Sequence, residues 1–296
     1  MKHAILGVGA IGGLIATALA FVGEDVTLLV RPEKLPSYPE RLTLEQPDRT
    51  ITAPAHSAAK LSEAVDVLWI ATKTYQLEPA LEAVNASPAV IVPLLNGVDH
   101  IAVLRARFDA QRVVPGAIAV EGERLSEGHF AQRSMVRLTV AASGEPVLGP
   151  LLAQFHERLG FVCQFVQDGQ TLLWTKLSFL APFALVTSAS GKDKGAIFAD
   201  PDWKAALYEA ISEATLVANA SGAKVDRAKI QVILDGSPDT MRSSMLKDVI
   251  AGRKLELDAI GGPIVRGGEK YGIPVPTTKK LMDTISRTVA AQKVQR

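Results

Sequence analysis

MKHAILGVGAIGGLIATALAFVGEDVTLLVR, residues 1–31, decides how the first half of this 296-residue chain is read. An apolar strand, Ala4 to Leu6, runs into three glycines at GxGxxG spacing: Gly7, Gly9 and Gly12. A helix of small residues follows, then Gly23, then a second strand ending at Arg31. In a dinucleotide site each glycine has a mechanical task. Gly7 permits the tight strand-to-helix turn, Gly9 lets backbone approach a pyrophosphate, and Gly12 lets helix and strand pack closely. Ala10 and Ile11 complete the loop, where the N–H groups of the helix start favour negative charge. Ala4 to Gly23 is also a run of twenty uncharged residues, the composition of a membrane span or signal peptide. Glycines at 7, 9, 12 and 13 argue against a helix starting at Ala4, since each costs ~1 kcal/mol relative to alanine. The β-pattern that resumes at Asp25 supplies the strand–turn–helix–strand context the dinucleotide motif requires.

Outward from this stretch, the length predicts two domains. A hydrophobic share of 48% suits ordinary cores, and a net charge of +1 offers no field for nucleic acid. The one cysteine, Cys163, sits in the apolar run Phe161–Phe165 and reads as a strand residue rather than a nucleophile. The five histidines are scattered without metal-ligand spacing, so no metal is expected. A cytoplasmic protein, with neither nucleic acid nor membrane as partner, follows from these features.

The second strand bears on the choice of cofactor. A NAD site places an acid near its C-terminal end, but here that end reads Leu29-Val30-Arg31-Pro32. Arg31 instead offers a planar fork of donors suited to a 2′-phosphate, which favours NADP(H). Residues 41 to 59 suggest a short β excursion. Asp66 to Thr72, Ala89 to Leu95 and Val113 to Val120 read as buried strands of a parallel sheet. Lys73 and Asn96 follow the first two, at the C-terminal edge where open α/β sheets bind ligands. An antiparallel extension follows from Glu121 to Val140, turning near Gly128, then a helix Leu151–Leu159 and a strand Phe161–Val166. After Asp168 helical spacing dominates, with segments at 170–188, 201–220, 226–234, 255–271 and 277–291. The expected architecture is therefore α/β over 1–167 and all-helical over 168–296.

In the first of these helices Lys176 is the only charge between Leu172 and Val186. A buried lysine costs several kcal/mol unless compensated, so its presence there points to chemistry. The chain at this point resembles the ketopantoate reductase (2-dehydropantoate 2-reductase) family over essentially its full length. The resemblance rests on GVGAIGG, Lys73, Asn96-Gly97 and Trp174-Thr175-Lys176-Leu177. It continues through Ser243-Ser244-Met245-Leu246-Lys247-Asp248, Leu255-Glu256-Leu257-Asp258 and Tyr271-Gly272-Ile273-Pro274-Val275-Pro276. It implies a Rossmann-type NADPH domain, a helical domain and a small 2-keto acid substrate held in the cleft between them. A homodimer is compatible with it.

By matching motifs, Lys176 resembles the family's general acid, and Glu256 the glutamate near substrate oxygen and cofactor. Ser244 resembles the serine that holds the substrate carboxylate. Asn96 and Lys73 resemble the residues at the nicotinamide end, and Arg31 the 2′-phosphate arginine. The expected activity is NADPH-dependent reduction of 2-dehydropantoate to pantoate, a step of pantothenate biosynthesis. One departure stands out. Family members carry asparagines four and eight residues after the lysine, where this chain has Leu180 and Ala184. Both positions share the Lys176 face, so that wall of the pocket is expected to be apolar. A more apolar 2-keto acid, as in D-mandelate dehydrogenase-like relatives, is therefore a second reading, and a non-catalytic NADP-binding sensor a third.

Overall fold

A computed structural model describes residues 1–294. The chain divides into two compact units: residues 1–95 with 100–172, and residues 96–99 with those from Leu173 onward.

The first unit is built on a five-stranded sheet. Its members are β1 (Lys2–Leu6), β2 (Asp25–Leu29), β5 (His56–Ala58), β6 (Val67–Ile70) and β7 (Val90–Pro93). They run all parallel in the order β5-β2-β1-β6-β7. The near-continuous apolar strands are explained by cover on both faces. Ile5, Leu28, Trp69 and Val92 enter one core, and their alternating neighbours Leu6, Leu29, Leu68 and Ile91 enter another. Helices α2 (Leu77–Leu81) and α3 (His100–Arg107) cover the second face.

Between β1 and β2 runs α1 (Ala10–Phe21), whose residues from Gly12 to Ala20 are all buried. Its other side meets a second sheet in the order β4-β3-β10-β9, from β3 (Arg41–Glu45), β4 (Thr50–Pro54), β9 (Gly122–Ser126) and β10 (His129–Gln132). This double burial is why the helix has the composition of a membrane span. At twelve residues it is too short for one, which takes ~20. The β excursion thus does more than protrude, and His56–Ala58 adds an edge strand to the parallel sheet itself.

Two local readings are corrected. The run from Val113 meets the parallel sheet only at one bridge, Val113 to Ile91, and does not continue it as a strand. Its ordered part, β8 (Gly116–Ala119), pairs antiparallel with β11 (Arg137–Ala141), which lies parallel to β12 (Val162–Val166). Helix α4 (Glu145–Leu159) begins six residues before Leu151, because Pro146 occupies its first turn and Pro150 is tolerated within it. Cys163 is a half-buried residue of β12, and burial pushes its thiol up to about 11, so it stays protonated at neutral pH.

The second unit is helical: α5 (Gly169–Ser190), α6 (Lys194–Phe198), α7 (Pro201–Ala220), α8 (Arg227–Asp235), α9 (Ser244–Ile250), α10 (Leu257–Tyr271) and α11 (Pro276–Val294). Asp200 caps α7 by accepting the Trp203 N–H, with Pro201 at the first helical position. Helix α5 is long and apolar enough to cross a membrane, yet two thirds of that window is buried inside the protein. Buried Glu213 on α7 accepts from Thr277 N, Thr278 N and Thr278 Oγ1, satisfying orphan donors at the start of α11.

At the start of the parallel sheet, buried His3 accepts the Trp69 indole N–H at Nδ1 (3.1 Å). Burial lowers its pKa to about 4, against the opposing pull of Glu24. Because the unfolded chain takes up this proton near pH 6.5 and the folded chain does not, stability is lost as pH falls from 6.5 toward 4. The loss reaches at most ~1.4 kcal/mol per pH unit. Urea midpoints at pH 7 and pH 5 check this. The drop between them should be smaller in His3→Leu than in the parent chain, and equal drops would refute it.

Candidate active site

The glycine loop shows why each glycine is where it is. Gly7 has φ of 97°, and a Cβ on it would lie 2.6 Å from Thr72 N, at the end of β6. A Cβ on Gly12 would stand 2.0 Å from the Gly7 carbonyl oxygen. Neither position admits a side chain. Gly9, the N-cap of α1, differs: a Cβ there would meet nothing within 4 Å. Its missing side chain serves no internal packing and leaves open space at the helix start, which fits a phosphate-bearing group. Beside the loop, the Thr72 hydroxyl is buried with no protein partner. Gly13, which in the sequence marks only a poor start for a long helix, has a packing role of its own. A Cβ there would sit 2.1 Å from the Phe130 ring, so this glycine seats α1 on the second sheet.

Arg31 follows β2 and its side chain is 74% exposed, with Glu33 3.9 Å away. Such an exposed pair is weak and leaves the guanidinium available to an anion. Lys73 leads the short turn after β6, and Ala10 and Ile11 are half-buried at the start of α1.

In the helical unit, Lys176 lies one turn into the apolar part of α5. Burial pushes its pKa down to about 8, while Glu256 pulls it the other way. Glu256 itself is buried, immediately before α10, and accepts from Asn96 Nδ2 at 3.3 Å. Asn96 therefore belongs with Glu256 and Lys176 in the helical unit, although it follows a strand of the sheet.

Ser244 is exposed at the first position of α9, and Ser243 is the capping residue. The Ser243 hydroxyl accepts the Leu246 N–H at 3.0 Å and lies 2.6 Å from Thr187 Oγ1. Thr187 in turn donates to the Phe183 carbonyl, so a directed chain of bonds ties α9 to α5. A threonine within an apolar helix and a Ser-Ser pair before another were the only sequence signals of this tie.

The apolar wall divides. Leu180 is half-buried on the Lys176 side of α5, whereas Ala184 has no exposed surface and belongs to the helical core.

A second lysine, Lys194, is buried more deeply than Lys176. Its ammonium donates to Asp235 O (3.1 Å), Ser237 O (2.6 Å) and Asp239 Oδ1 (3.1 Å). Three donors meet three acceptors, so Lys194 pins the loop after α8. Lys176 has a different environment, in which burial pushes its pKa down and the charge of Glu256 opposes that shift.

Replacing Glu256 with Gln should therefore lower the Lys176 pKa below its parental value. Titration of the lysine ε-carbon resonances checks this. An unchanged or raised Lys176 midpoint would show that Glu256 does not sustain its charge.

Residues 3–145 match the ketopantoate reductase PanE/ApbA family, and residues 168–288 match that family's C-terminal domain. A 2-dehydropantoate 2-reductase of Caulobacter vibrioides is 31% identical over 290 residues, covering 92% of this chain and 94% of that protein. In fold the chain is similar to a PanE/ApbA family ketopantoate reductase from Ralstonia eutropha, with a TM-score of 0.86 at 24% identity over 99% of this chain and all of that one. It is equally similar in fold to D-mandelate dehydrogenase in complex with NADH and anilino(oxo)acetate. There the TM-score is 0.86 at 19% identity, over 98% of this chain and 99% of that one.

Proposed function

Because the chain belongs to the ketopantoate reductase family of oxidoreductases acting on CH–OH groups, we propose that it reduces a 2-keto acid to the 2-hydroxy acid with NADPH. By family, 2-dehydropantoate is the first substrate to test. The observation that carries this reading is the placement of Lys176, a half-buried lysine and the one charge in an apolar helix, where burial pushes its pKa down to about 8 and buried Glu256 supports its charge.

Bound NADPH supplies a hydride to the ketone carbon. The chain's residues supply the rest. As the carbonyl oxygen gains negative charge, the Lys176 ammonium stabilises it and delivers a proton. Glu256 keeps that ammonium charged, and Asn96 donates to Glu256. Ser244 holds the substrate carboxylate, joined by neighbouring backbone N–H groups. Gly7, Gly9 and Gly12, with Ala10, Ile11 and Lys73, bind the dinucleotide, and Arg31 pairs with its 2′-phosphate. We place the enzyme in the cytoplasm, in pantothenate biosynthesis.

Leu180 favours a second reading. Where an asparagine would hydrogen-bond a substrate hydroxyl, a half-buried leucine makes apolar contact instead. The loss of one such bond costs ~0.5–1.5 kcal/mol, and an apolar substituent recovers comparable energy by burial. An aryl or branched 2-keto acid is the substrate this reading selects.

Steady-state NADPH oxidation with a panel of 2-keto acids decides between them. Turnover of 2-dehydropantoate supports the first reading, and turnover of an aryl or branched keto acid alone supports the second. Tight NADPH binding without any turnover would leave a non-catalytic sensor. Lys176→Ala should reduce turnover ~10²–10⁴-fold with NADPH binding retained, and undiminished activity would remove Lys176 from the mechanism. In the active enzyme, turnover should fall as pH rises past about 8, because Lys176 then loses the proton it donates. Arg31→Ala should weaken NADPH while sparing NADH. Equal loss of both would end the 2′-phosphate assignment.

A further inference from the structure

Asn96–Asp99 follows the sheet strand β7 but belongs to the helical unit, and four observations show how it is held there. Gly97 has φ of 82°, and a Cβ on it would lie 2.3 Å from the Ala259 carbonyl oxygen. The loop backbone therefore rests directly on the first turn of α10. Val98 packs against the helical core. Asp99 Oδ2 accepts from the Arg266 guanidinium at 2.6 Å, and a second Arg266 nitrogen donates to Asp258 Oδ1 at 2.7 Å. Finally, the Asp258–Arg266 pair lies over Gly262. A Cβ there would stand 2.6 Å from Asp258 Oδ1 and 2.7 Å from the Arg266 guanidinium nitrogens.

We infer that Arg266 is a positioning residue, seated over Gly262, that clamps Asp99 to α10 and so holds Asn96 against Glu256. The inference rests on the reductase reading for the roles of Asn96 and Glu256. Energetics support a positional role over a stabilising one. Asp99 and Arg266 are each about half exposed, and ion pairs of that kind contribute little to stability. One guanidinium bridging two carboxylates fixes geometry well, because its donors sit in a rigid plane. Asp99 follows Asn96 by three residues, so a fixed Asp99 leaves Asn96 little freedom.

The test uses the whole enzyme and three variants. Arg266→Met removes the clamp, Gly262→Ala evicts the guanidinium from its seat, and Arg266→Lys retains charge without the bridging plane. Backbone amide exchange across residues 96–99 should accelerate in the first two and to a lesser extent in the third. Gly262→Ala should do so with an unfolding temperature equal to or above the parent, since alanine favours helix. A merely structural defect would lower it. Turnover should fall about tenfold, within the ~10²-fold that a 1 Å misplacement can cost. In an Asn96→Ala background, Arg266→Met should have no further effect on turnover.

Unchanged exchange at 96–99, or a full turnover loss from Arg266→Met in the Asn96→Ala background, would overturn the inference. If the parent enzyme reduces no keto acid yet exchange accelerates in Arg266→Met and Gly262→Ala, the clamp stands and the reductase reading fails.

Discussion

Where β1 turns into α1, three backbone segments approach more closely than any side chain allows. The Gly7 carbonyl oxygen lies 2.0 Å from where a Gly12 Cβ would be, and the backbone of Ala71 and Thr72, just past β6, fills the space a Gly7 Cβ would need. Strand, turn, helix and neighbouring strand are thereby locked into one piece. The entry angle of α1 follows from it, and so does the seating of Gly13 against Phe130 and the burial of α1 between two sheets. Only at Gly9 is a side chain missing without an internal neighbour to explain it. Packing explains three of the four glycines, and the fourth stands at the open start of the helix.

The helical unit sets a different constraint, the cost of removing a cation from water. Two lysines meet that cost in different ways. Lys194 meets it with two carbonyls and a carboxylate, and so acts as a rivet in the loop that leads to α9. Lys176 offsets it partly, through the charge of Glu256, and its affinity for a proton drops. The two lysines thus differ in the number and kind of acceptors within reach.

Much of the architecture was legible because its signals are local. Asp200 and Pro201 mark the start of α7, and alternating apolar residues mark strands buried on both faces. Readings failed where local signals conflict or vanish. Pro146, Gly149 and Pro150 hid the first turns of α4, and the short helices α6 and α9 are too brief for a helical period to declare itself. The partner of β8 was unreadable, because one apolar strand looks the same whether its neighbour runs parallel or antiparallel.

The same division separates the parts of the candidate site. The glycine loop, the arginine at the end of β2 and the solitary charge in α5 are properties of short stretches, and spacing alone singled them out. The company these groups keep is not. Asn96 and Glu256 are 160 residues apart, and Asp99 and Arg266 are 167 apart. Whether Leu180 and Ala184 share one environment likewise depended on neighbours from other helices, which enclose Ala184 and leave Leu180 half-buried. Backbone propensity and hydrophobic period act over a few residues. Burial and electrostatic pairing act through space, so the protonation of Lys176 and the attachment of Asn96 to the helical unit emerged only once the chain was folded.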